Sequence, residues 1–192
     1  DYHNLPVTIV SAGSGVGYGN LGYTHHAIQD YSLMRSFPNM LIASPGDVME
    51  LRSCMDYLTK HPQPSYLRLE KSSIYQIHKK KPKLSPGKWI KVWESSKKSK
   101  RKSIYLSTGA VIEFIEKKIK DKKYQPRSLY SLPLWGMKYK NNQERNIKKF
   151  YTIDVVEDHL NDGGFQSWLK ECIYVSKLCS KSLNKKVISQ VG

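Results

Sequence analysis

The chain has 192 residues, 39% of them apolar and 11% aromatic, and a formal net charge of +16 at pH 7. This composition suffices for a hydrophobic core and excludes general disorder. The sequence has no apolar run of bilayer length and no signal-peptide pattern, so we expect no membrane anchor. Eleven of the 32 basic residues lie between Lys79 and Lys102, which indicates a solvated basic segment. We expect no specific nucleic-acid partner, and weak, salt-sensitive polyanion binding stays open as an alternative.

Strand and helix patterns alternate through the first 70 residues. The β-branched run Val7–Ala12 predicts a buried strand, and Thr24 has the residue type of a helix N-cap. Ser44 is predicted to cap the next helix, with Pro45 at its first position. The predicted elements are strand Val7–Ala12, helix Thr24–Ser36, strand Met40–Ser44, a helix from Ser44 to about Lys60, and strand Ser65–Glu70. This alternation predicts an α/β layer with a mostly parallel sheet.

A second α/β unit is predicted after a segment rich in Lys, Ser and Pro. We place the first unit at residues 1–72, an interdomain linker at 73–102 and the second unit at 103–192. The predicted elements of the remainder are strand Lys88–Glu94 within the linker, strand Ser103–Gly109, helix Ala110–Asp121, strand Pro126–Trp135, strand Phe150–Asp158, a helix after Gly163-Gly164, and strand Lys185–Val191. The predicted fold class is α/β, with two three-layer units and mostly parallel sheets.

The glycine-rich loop matches the dinucleotide-binding spacing at Gly17-x-Gly19-x-x-Gly22. In a dinucleotide fold the glycines begin where the first strand ends and the third glycine already lies in the helix. The predicted strand here ends near Ala12, about five residues too early. The spacing therefore does not indicate a nicotinamide or flavin site, and we interpret the loop as one that another surface can approach closely.

Two side-chain groups could act on a substrate. His25 and His26 lie in the first turn of the predicted helix, where the positive end of the dipole would favour neutral imidazoles able to hydrogen-bond a substrate hydroxyl. A surface or structural role is the alternative. Arg68 alternates with apolar neighbours in a predicted strand, so it is either paired structurally or free to recognise phosphate.

The remaining reactive residues do not form a recognisable site. Glu157–Asp162 contains four possible metal ligands without calcium-loop spacing, and we interpret it as a loop at a strand end. The chain has three cysteines, Cys54, Cys172 and Cys179, and their spacing is not that of zinc ligands. We therefore expect free or buried thiols in a reducing cytoplasm. No nucleophile elbow surrounds a serine.

In combination, four stretches resemble the C-terminal part of the transketolase family, and in particular its split C-terminal subunits. They are Gly17–Glu50, which contains the Gly22-x-Thr24-His25 signature, Pro64–Lys71, Leu106–Ala110 and Val155–Leu169. The resemblance implies that the first unit is the end of a pyrimidine-binding domain, incomplete here, and that the second is a transketolase C-terminal-like domain.

The resemblance also implies an activity, that of a transferase of carbohydrate metabolism. Members use thiamine diphosphate and Mg²⁺, held between two chains, to pass a two-carbon ketol unit from a ketose to an aldose. His25 would act catalytically and bind substrate, and His26 would also bind substrate. Arg68 would meet the sugar phosphate, and Gly17 and Tyr18 would line the entrance. The expected partner is a second copy or a complementary N-terminal subunit.

Several positions depart from the family pattern. A histidine and an aspartate that usually grip donor hydroxyls are replaced by Gly13 and Leu21, and Tyr23 replaces the usual proline. The glutamate that activates the cofactor lies upstream of Asp1 in this family, and no Gly-Asp-Gly metal motif is present. We therefore expect the chain to be inactive alone, with cofactor and metal bound mainly by other segments. A deoxyxylulose-phosphate synthase-like enzyme, a 2-oxo-acid dehydrogenase-like enzyme and a non-catalytic assembly or regulatory subunit stay open.

Overall fold

The computed structural model describes residues 1–71, 75–96, 102–177 and 187–190. Cys179, parts of the predicted linker and the ends of the last predicted strand lie outside them. The strands are β1 Thr8–Ala12, β2 Leu41–Ala43, β3 Ser65–Leu69, β4 Ile90–Trp93, β5 Ser103–Ser107, β6 Ser128–Ser131, β7 Leu134–Trp135, β8 Thr152–Val156 and β9 Val187–Gln190. The α-helices are α1 Asp30–Met34, α2 Val48–Lys60, α3 Val111–Lys120, α4 Gln143–Ile147 and α5 Phe165–Lys177. No helix in these ranges is long and apolar enough to cross a bilayer.

The strands form two mostly parallel sheets, which confirms the predicted α/β fold class. The first has the order β1-β3-β2-β7, parallel except for β7. The second has the order β4-β6-β5-β8-β9, with β4 antiparallel at its edge. The strand predicted within the linker is therefore β4, and it joins the second sheet.

The strand predicted at Pro126–Trp135 is divided between the two sheets. β6 pairs with β5, whereas β7 pairs antiparallel with β2 of the first sheet. Pro133 lies between them and has no N–H to continue a ladder, while its carbonyl accepts a hydrogen bond from Ser44 N at 2.8 Å. The first sheet thus includes a strand from the second half of the chain.

One aromatic cluster joins the two halves. The rings of Trp135, Phe165 and Trp168 lie 5.1–5.8 Å apart, and Tyr31 of α1 packs on Trp135 at 5.2 Å. All four side chains are buried. Removing so much aromatic surface from water is a large stabilising contribution. The hydrophobic core is therefore continuous from α1 to α5.

Two local predictions were wrong. β1 is exposed, not buried, because it lies at the edge of its sheet: Ile9 is 44% and Val10 59% exposed. In place of a helix from Thr24, a short 3₁₀ helix covers Tyr23–His25 and α1 begins at Asp30. Backbone hydrogen bonds between Gly15 and Ala27, in both directions, hold the intervening chain out of a helix.

The predicted cap of α2 was also wrong, although its end at Lys60 was correct. Asp47 is the N-cap, and its Oδ1 accepts a hydrogen bond from Glu50 N at 2.7 Å. The Ser44 hydroxyl is instead 2.5 Å from the Tyr31 hydroxyl. Both serine and aspartate are good caps, so tertiary contacts decide between them.

A buried polar cluster at the start of α2 clamps the connecting segment to the fold. Asp47 Oδ2 accepts hydrogen bonds from the backbone N–H groups of Ile77 and His78, at 3.0 and 2.8 Å. The same oxygen lies 3.0 Å from His78 Nδ1. Burial alone would raise the pKa of Asp47, but the hydrogen bonds from His78 outweigh it and lower that pKa to about 2.

Glu50 extends the cluster to the second sheet. Its Oε2 accepts hydrogen bonds from Gly46 N at 2.7 Å and from the Ser131 hydroxyl on β6 at 3.0 Å. Burial raises the pKa of Glu50 to about 7, although the Gly46 N–H and the charge of His78 act in the opposite direction. Burial alone would lower the pKa of His78, but the hydrogen bond to Asp47 and the charge of Glu50 raise it.

Raising the pH through neutrality should weaken this cluster. In the folded chain the pKa values of Glu50 and His78 are raised above their ordinary values of 4.5 and 6.5, so both groups bind a proton more tightly there than in the unfolded chain. Their stabilisation is present below those values and is lost as the pH rises through the folded pKa of each group. Urea unfolding at a series of pH values should show the free energy of unfolding falling by about 1–3 kcal/mol between about pH 5 and 8.5.

The variant Glu50→Gln is the control for this pH dependence. It keeps the side-chain shape and removes the titration, so the wild-type slope should exceed that of the variant. Equal slopes would show that the cluster does not control stability near neutral pH.

Candidate functional site

The glycine-rich loop lies at the carboxyl ends of β1 and β3. The Gly13 and Ser14 N–H groups both donate to the Leu69 carbonyl, at 2.9 and 3.1 Å. The Ser14 hydroxyl donates to Glu70 Oε2 at 2.9 Å. Loops at the carboxyl ends of parallel strands are common ligand sites in α/β folds.

Two glycines let this loop fold tightly on its surroundings. At Gly13, with φ of +89°, a Cβ would lie 2.0 Å from Cε2 of Tyr18. At Gly15, with φ of +56°, it would lie 2.6 Å from Asp158 Oδ2. Both φ values also disfavour a side chain. The side chains that pack closely against these two glycines are thus Tyr18, from the loop itself, and Asp158, from the second half of the chain.

His25 lies on the exposed side of this loop. Its Nδ1 is 3.0 Å from the Thr24 hydroxyl, and its ring packs edge-on against Tyr18 with centroids 5.9 Å apart. His26 is half-buried, and its Nε2 donates to the Gly19 carbonyl at 2.8 Å. Since the turn is a 3₁₀ helix separated from α1, the dipole argument does not apply to either residue. His25 is presented to solvent, whereas His26 is used to hold the loop.

Arg68 is enclosed beneath the loop. Its side chain is fully buried, and its guanidinium stacks over the Tyr31 ring at 4.2 Å. The guanidinium makes five hydrogen bonds: to Asp30 Oδ2 at 2.6 Å, Tyr31 Oη at 3.2 Å, Asp158 Oδ1 at 2.6 Å, Ala27 O at 2.7 Å and Asp158 O at 3.3 Å.

A guanidinium has five N–H donors, so these bonds use all of them. This geometry does not support the prediction that Arg68 meets a sugar phosphate, because a phosphate would have to displace an existing partner. The structural-pairing alternative describes Arg68 better. Sequence analysis also missed Asp158 as its partner, because the two residues are 90 positions apart.

The stretch after β8 completes the junction between the halves. Glu157 accepts hydrogen bonds from the N–H groups of Phe165 and Gln166, at 2.6 and 3.1 Å, and so caps α5. Burial raises the pKa of Glu157 to about 7 despite these bonds. Burial lowers the pKa of His159, whose Nδ1 donates to the Leu160 carbonyl at 2.8 Å. This stretch is therefore structural in its contacts.

A cleft of about 530 Å³ lies between the loop and the second half. It is lined by Val16, Gly17 and Glu70 on one side and by the first turns of α3 with Glu157 and Asp158 on the other. Gly17 lies here, while Tyr18 and His25 lie together on the loop. Within the described ranges, no three His, Cys, Asp or Glu side chains are placed to hold a metal ion.

The chain is similar to known proteins along its whole length. Residues 1–76 match the family described as transketolase, pyrimidine binding domain. Over 86 residues it is 36% identical to an apulose-4-phosphate transketolase subunit of Actinobacillus succinogenes, covering 45% of this chain and 28% of that protein. Over 193 residues it is 26% identical to 1-deoxy-D-xylulose-5-phosphate synthase of Clostridium perfringens strain SM101, covering 96% of this chain and 30% of that protein.

Solved structures share the fold. A split-gene transketolase, solved as an inactive beta4 tetramer, superposes with a TM-score of 0.76 at 19% identity, covering all of this chain and 58% of that one. Transketolase of Pichia stipitis in complex with sedoheptulose-7-phosphate gives 0.65 at 19% identity, covering 82% of this chain and 24% of that one. The matches cover 28% and 30% of the length of the two curated relatives named above.

Proposed function

We propose that this chain, which belongs to the transketolase family, supplies the substrate-facing rim of a thiamine-diphosphate-dependent enzyme that transfers a two-carbon ketol unit between sugar phosphates. The observation that carries the proposal is the exposed His25 of the Gly22-x-Thr24-His25 signature, held on a turn that the Gly15–Ala27 hydrogen bonds fix. Because the chain spans only part of its relatives, the complete activity requires segments beyond it.

Thiamine diphosphate, when bound, supplies the carbanion chemistry of this family. The residues of this chain fit the outer part of such a site: an exposed imidazole, an aromatic wall and a rigid loop. His25 would hydrogen-bond a substrate hydroxyl and exchange a proton with it. Tyr18 would wall the entrance, and Arg68 would hold the loop in place. In line with the family resemblance, we assign the diphosphate and Mg²⁺ to other segments.

The partner that we propose is a complementary transketolase subunit that covers the β1 edge. Ile9 and Val10 of this strand, and Leu5 and Val7 just before it, are each 44–59% exposed. An apolar sheet edge of this kind favours association with another chain. The relative named as a transketolase subunit and the split-gene structure support a complementary subunit as partner. A second copy of this chain is the alternative partner.

Calorimetry tests the proposed function. Thiamine diphosphate with Mg²⁺ should bind the assembly purified from its host, and should not bind this chain alone. The matched control is thiamine monophosphate, which lacks the terminal phosphate of the cofactor. Absence of binding to the assembly would contradict a catalytic role and favour an assembly or regulatory subunit.

A second candidate is a deoxyxylulose-phosphate synthase-like activity. The similarity to that enzyme covers 96% of the chain, and Gly13 and Leu21 remove two side chains that grip donor hydroxyls in transketolases. Such an enzyme would form 1-deoxy-D-xylulose 5-phosphate. Formation of 1-deoxy-D-xylulose 5-phosphate by the assembly, without use of a ketose donor, would favour this candidate.

A further inference from the structure

The loop that carries His25 is closed at its base by two backbone hydrogen bonds. Gly15 N–H donates to the Ala27 carbonyl at 3.1 Å, and Ala27 N–H donates to the Gly15 carbonyl at 2.9 Å. Between these two residues lie two 3₁₀ helices of three residues each. Helices of this kind have poorer hydrogen-bond geometry than an α-helix. We therefore expect the position of His25 to depend on how firmly the base of the loop is held.

Asp158, from the second half of the chain, packs against one side of this base. A Cβ built on Gly15 would lie 2.6, 2.8 and 2.9 Å from Oδ2, Cβ and Cγ of Asp158. The aspartate side chain thus fills the space that a larger residue at position 15 would need. It is mostly buried, so the contact is shielded from solvent.

Asp158 holds the other side of the base through Arg68. Asp158 Oδ1 accepts a hydrogen bond from Arg68 Nη1 at 2.6 Å, and its backbone carbonyl accepts from Nη2 at 3.3 Å. The same Nη2 donates to the Ala27 carbonyl at 2.7 Å. Because the Arg68 side chain is fully buried, these charge-assisted hydrogen bonds are stronger than they would be in water. This pair of contacts, the Asp158 clamp, holds Gly15 by packing and Ala27 through the guanidinium.

The chain around Asp158 is itself firmly held by the second half. Asp158 follows β8 closely, and Glu157 beside it accepts the hydrogen bonds that cap α5. After it, Leu160 N–H donates to the carbonyl of Ile28, which directly follows the base of the loop, at 3.0 Å. The fold of the second half therefore determines where the Asp158 carboxylate lies.

We propose that Asp158 is a positioning residue for His25, and that the second half of the chain sets the geometry of the catalytic turn through the Asp158 clamp. The inference rests on the proposed function, in which His25 acts on the substrate. A misplacement of about 1 Å at a reacting group can lower a rate about 10²-fold. The second half thus takes part in the reaction through its contacts with the loop.

Hydrogen exchange of the complete assembly tests the clamp without turnover. Asp158→Ala should speed exchange of the Gly15 and Ala27 N–H groups about tenfold or more, because hydrogen bonds to a charged group are lost and the base opens more often. The amides of β5 and β6, in the second sheet, should exchange at unchanged rates. Asp162→Ala removes an exposed carboxylate from the same stretch and is the matched control. Unchanged exchange at Gly15 and Ala27 in Asp158→Ala would overturn the proposal.

The variant Asp158→Asn keeps the test decisive if Asp158→Ala does not fold. It preserves the side-chain shape and an oxygen that can accept from Arg68, but a neutral acceptor makes a weaker hydrogen bond than a carboxylate. Exchange at Gly15 and Ala27 should therefore be about threefold faster than in the wild type, less than in Asp158→Ala. Wild-type exchange in Asp158→Asn would contradict the clamp.

A double-mutant cycle on kcat separates positioning from a merely structural role. Asp158→Ala should lower kcat about 10²-fold in an assembly that retains His25. In the His25→Ala background it should lower kcat little further, because the group that it positions has already been removed. Equal factors in the two backgrounds would show that Asp158 supports only the fold and would overturn the proposal.

The two measurements also separate this inference from the proposed function. An assembly whose exchange responds as expected but which transfers no ketol unit would support the clamp and contradict the function. Ketol transfer with equal factors in the two backgrounds would support the function and contradict the inference.

Discussion

Replacing Arg68 by methionine should lower the free energy of unfolding by about 3–5 kcal/mol, the usual cost of breaking a buried ion network on one side. The variant would leave the Asp30 and Asp158 carboxylates, whose side chains are 12% and 19% exposed, without their cation. The hydrogen bond to the Ala27 carbonyl would also be lost. Urea unfolding of the assembly, followed by tyrosine and tryptophan fluorescence, measures the change.

Lys117→Met is the matched control for this prediction. It removes a cation of similar length from a pair with Glu113 on the exposed face of α3, where the lysine side chain is 67% exposed. An exposed pair of this spacing contributes little to stability, so the control should remain close to the wild type. If Arg68→Met cost no more than this control, Arg68 would not be the link between the halves.

A partial recovery is expected when the carboxylate is neutralised together with the cation. Adding Asp158→Asn to Arg68→Met removes one of the stranded buried charges, so the double variant should be more stable than Arg68→Met alone. This comparison also remains informative if Arg68→Met is too unstable to give a complete unfolding curve. A double variant less stable than the single one would contradict the ion network.

Replacing His25 by alanine in the complete assembly should lower kcat by about 10²-fold or more, the range in which a positioned proton donor or acceptor contributes. The imidazole is exposed, and its contacts with Thr24 and Tyr18 lie at the surface of the loop. The stability of the assembly should therefore change little. His3→Ala, at an exposed site outside the loop, is the control and should leave kcat unchanged. Wild-type kcat in His25→Ala would remove His25 from the mechanism.

Elements with strong local signals could be predicted from the sequence. The end of α2 at Lys60 precedes the proline-rich stretch after His61, and α3 and α5 follow regular apolar spacing. Elements decided by distant contacts could not be predicted. The division of Pro126–Trp135 depends on β2, which lies far earlier in the chain, and the Thr24 turn depends on the hydrogen bonds between Gly15 and Ala27.

The same distinction applies to the candidate site. His25 could be named as a candidate from the sequence because Gly22-x-Thr24-His25 is a contiguous signature. The burial of Arg68 could not be predicted, because its acidic partners Asp30 and Asp158 are 38 and 90 positions away in the sequence. Neither aspartate lies in a local sequence pattern that indicates an ion pair.

The pairing of β2 with β7 has a consequence for synthesis on the ribosome. About 90 residues separate Ala43 from its partner Leu134, and translation at about 5–20 residues per second takes roughly 5–20 s to cover that distance. During this interval the nascent first sheet has unpaired β1 and β2 edges, both apolar. We expect the emerging chain to depend on chaperones until β7 has been synthesised.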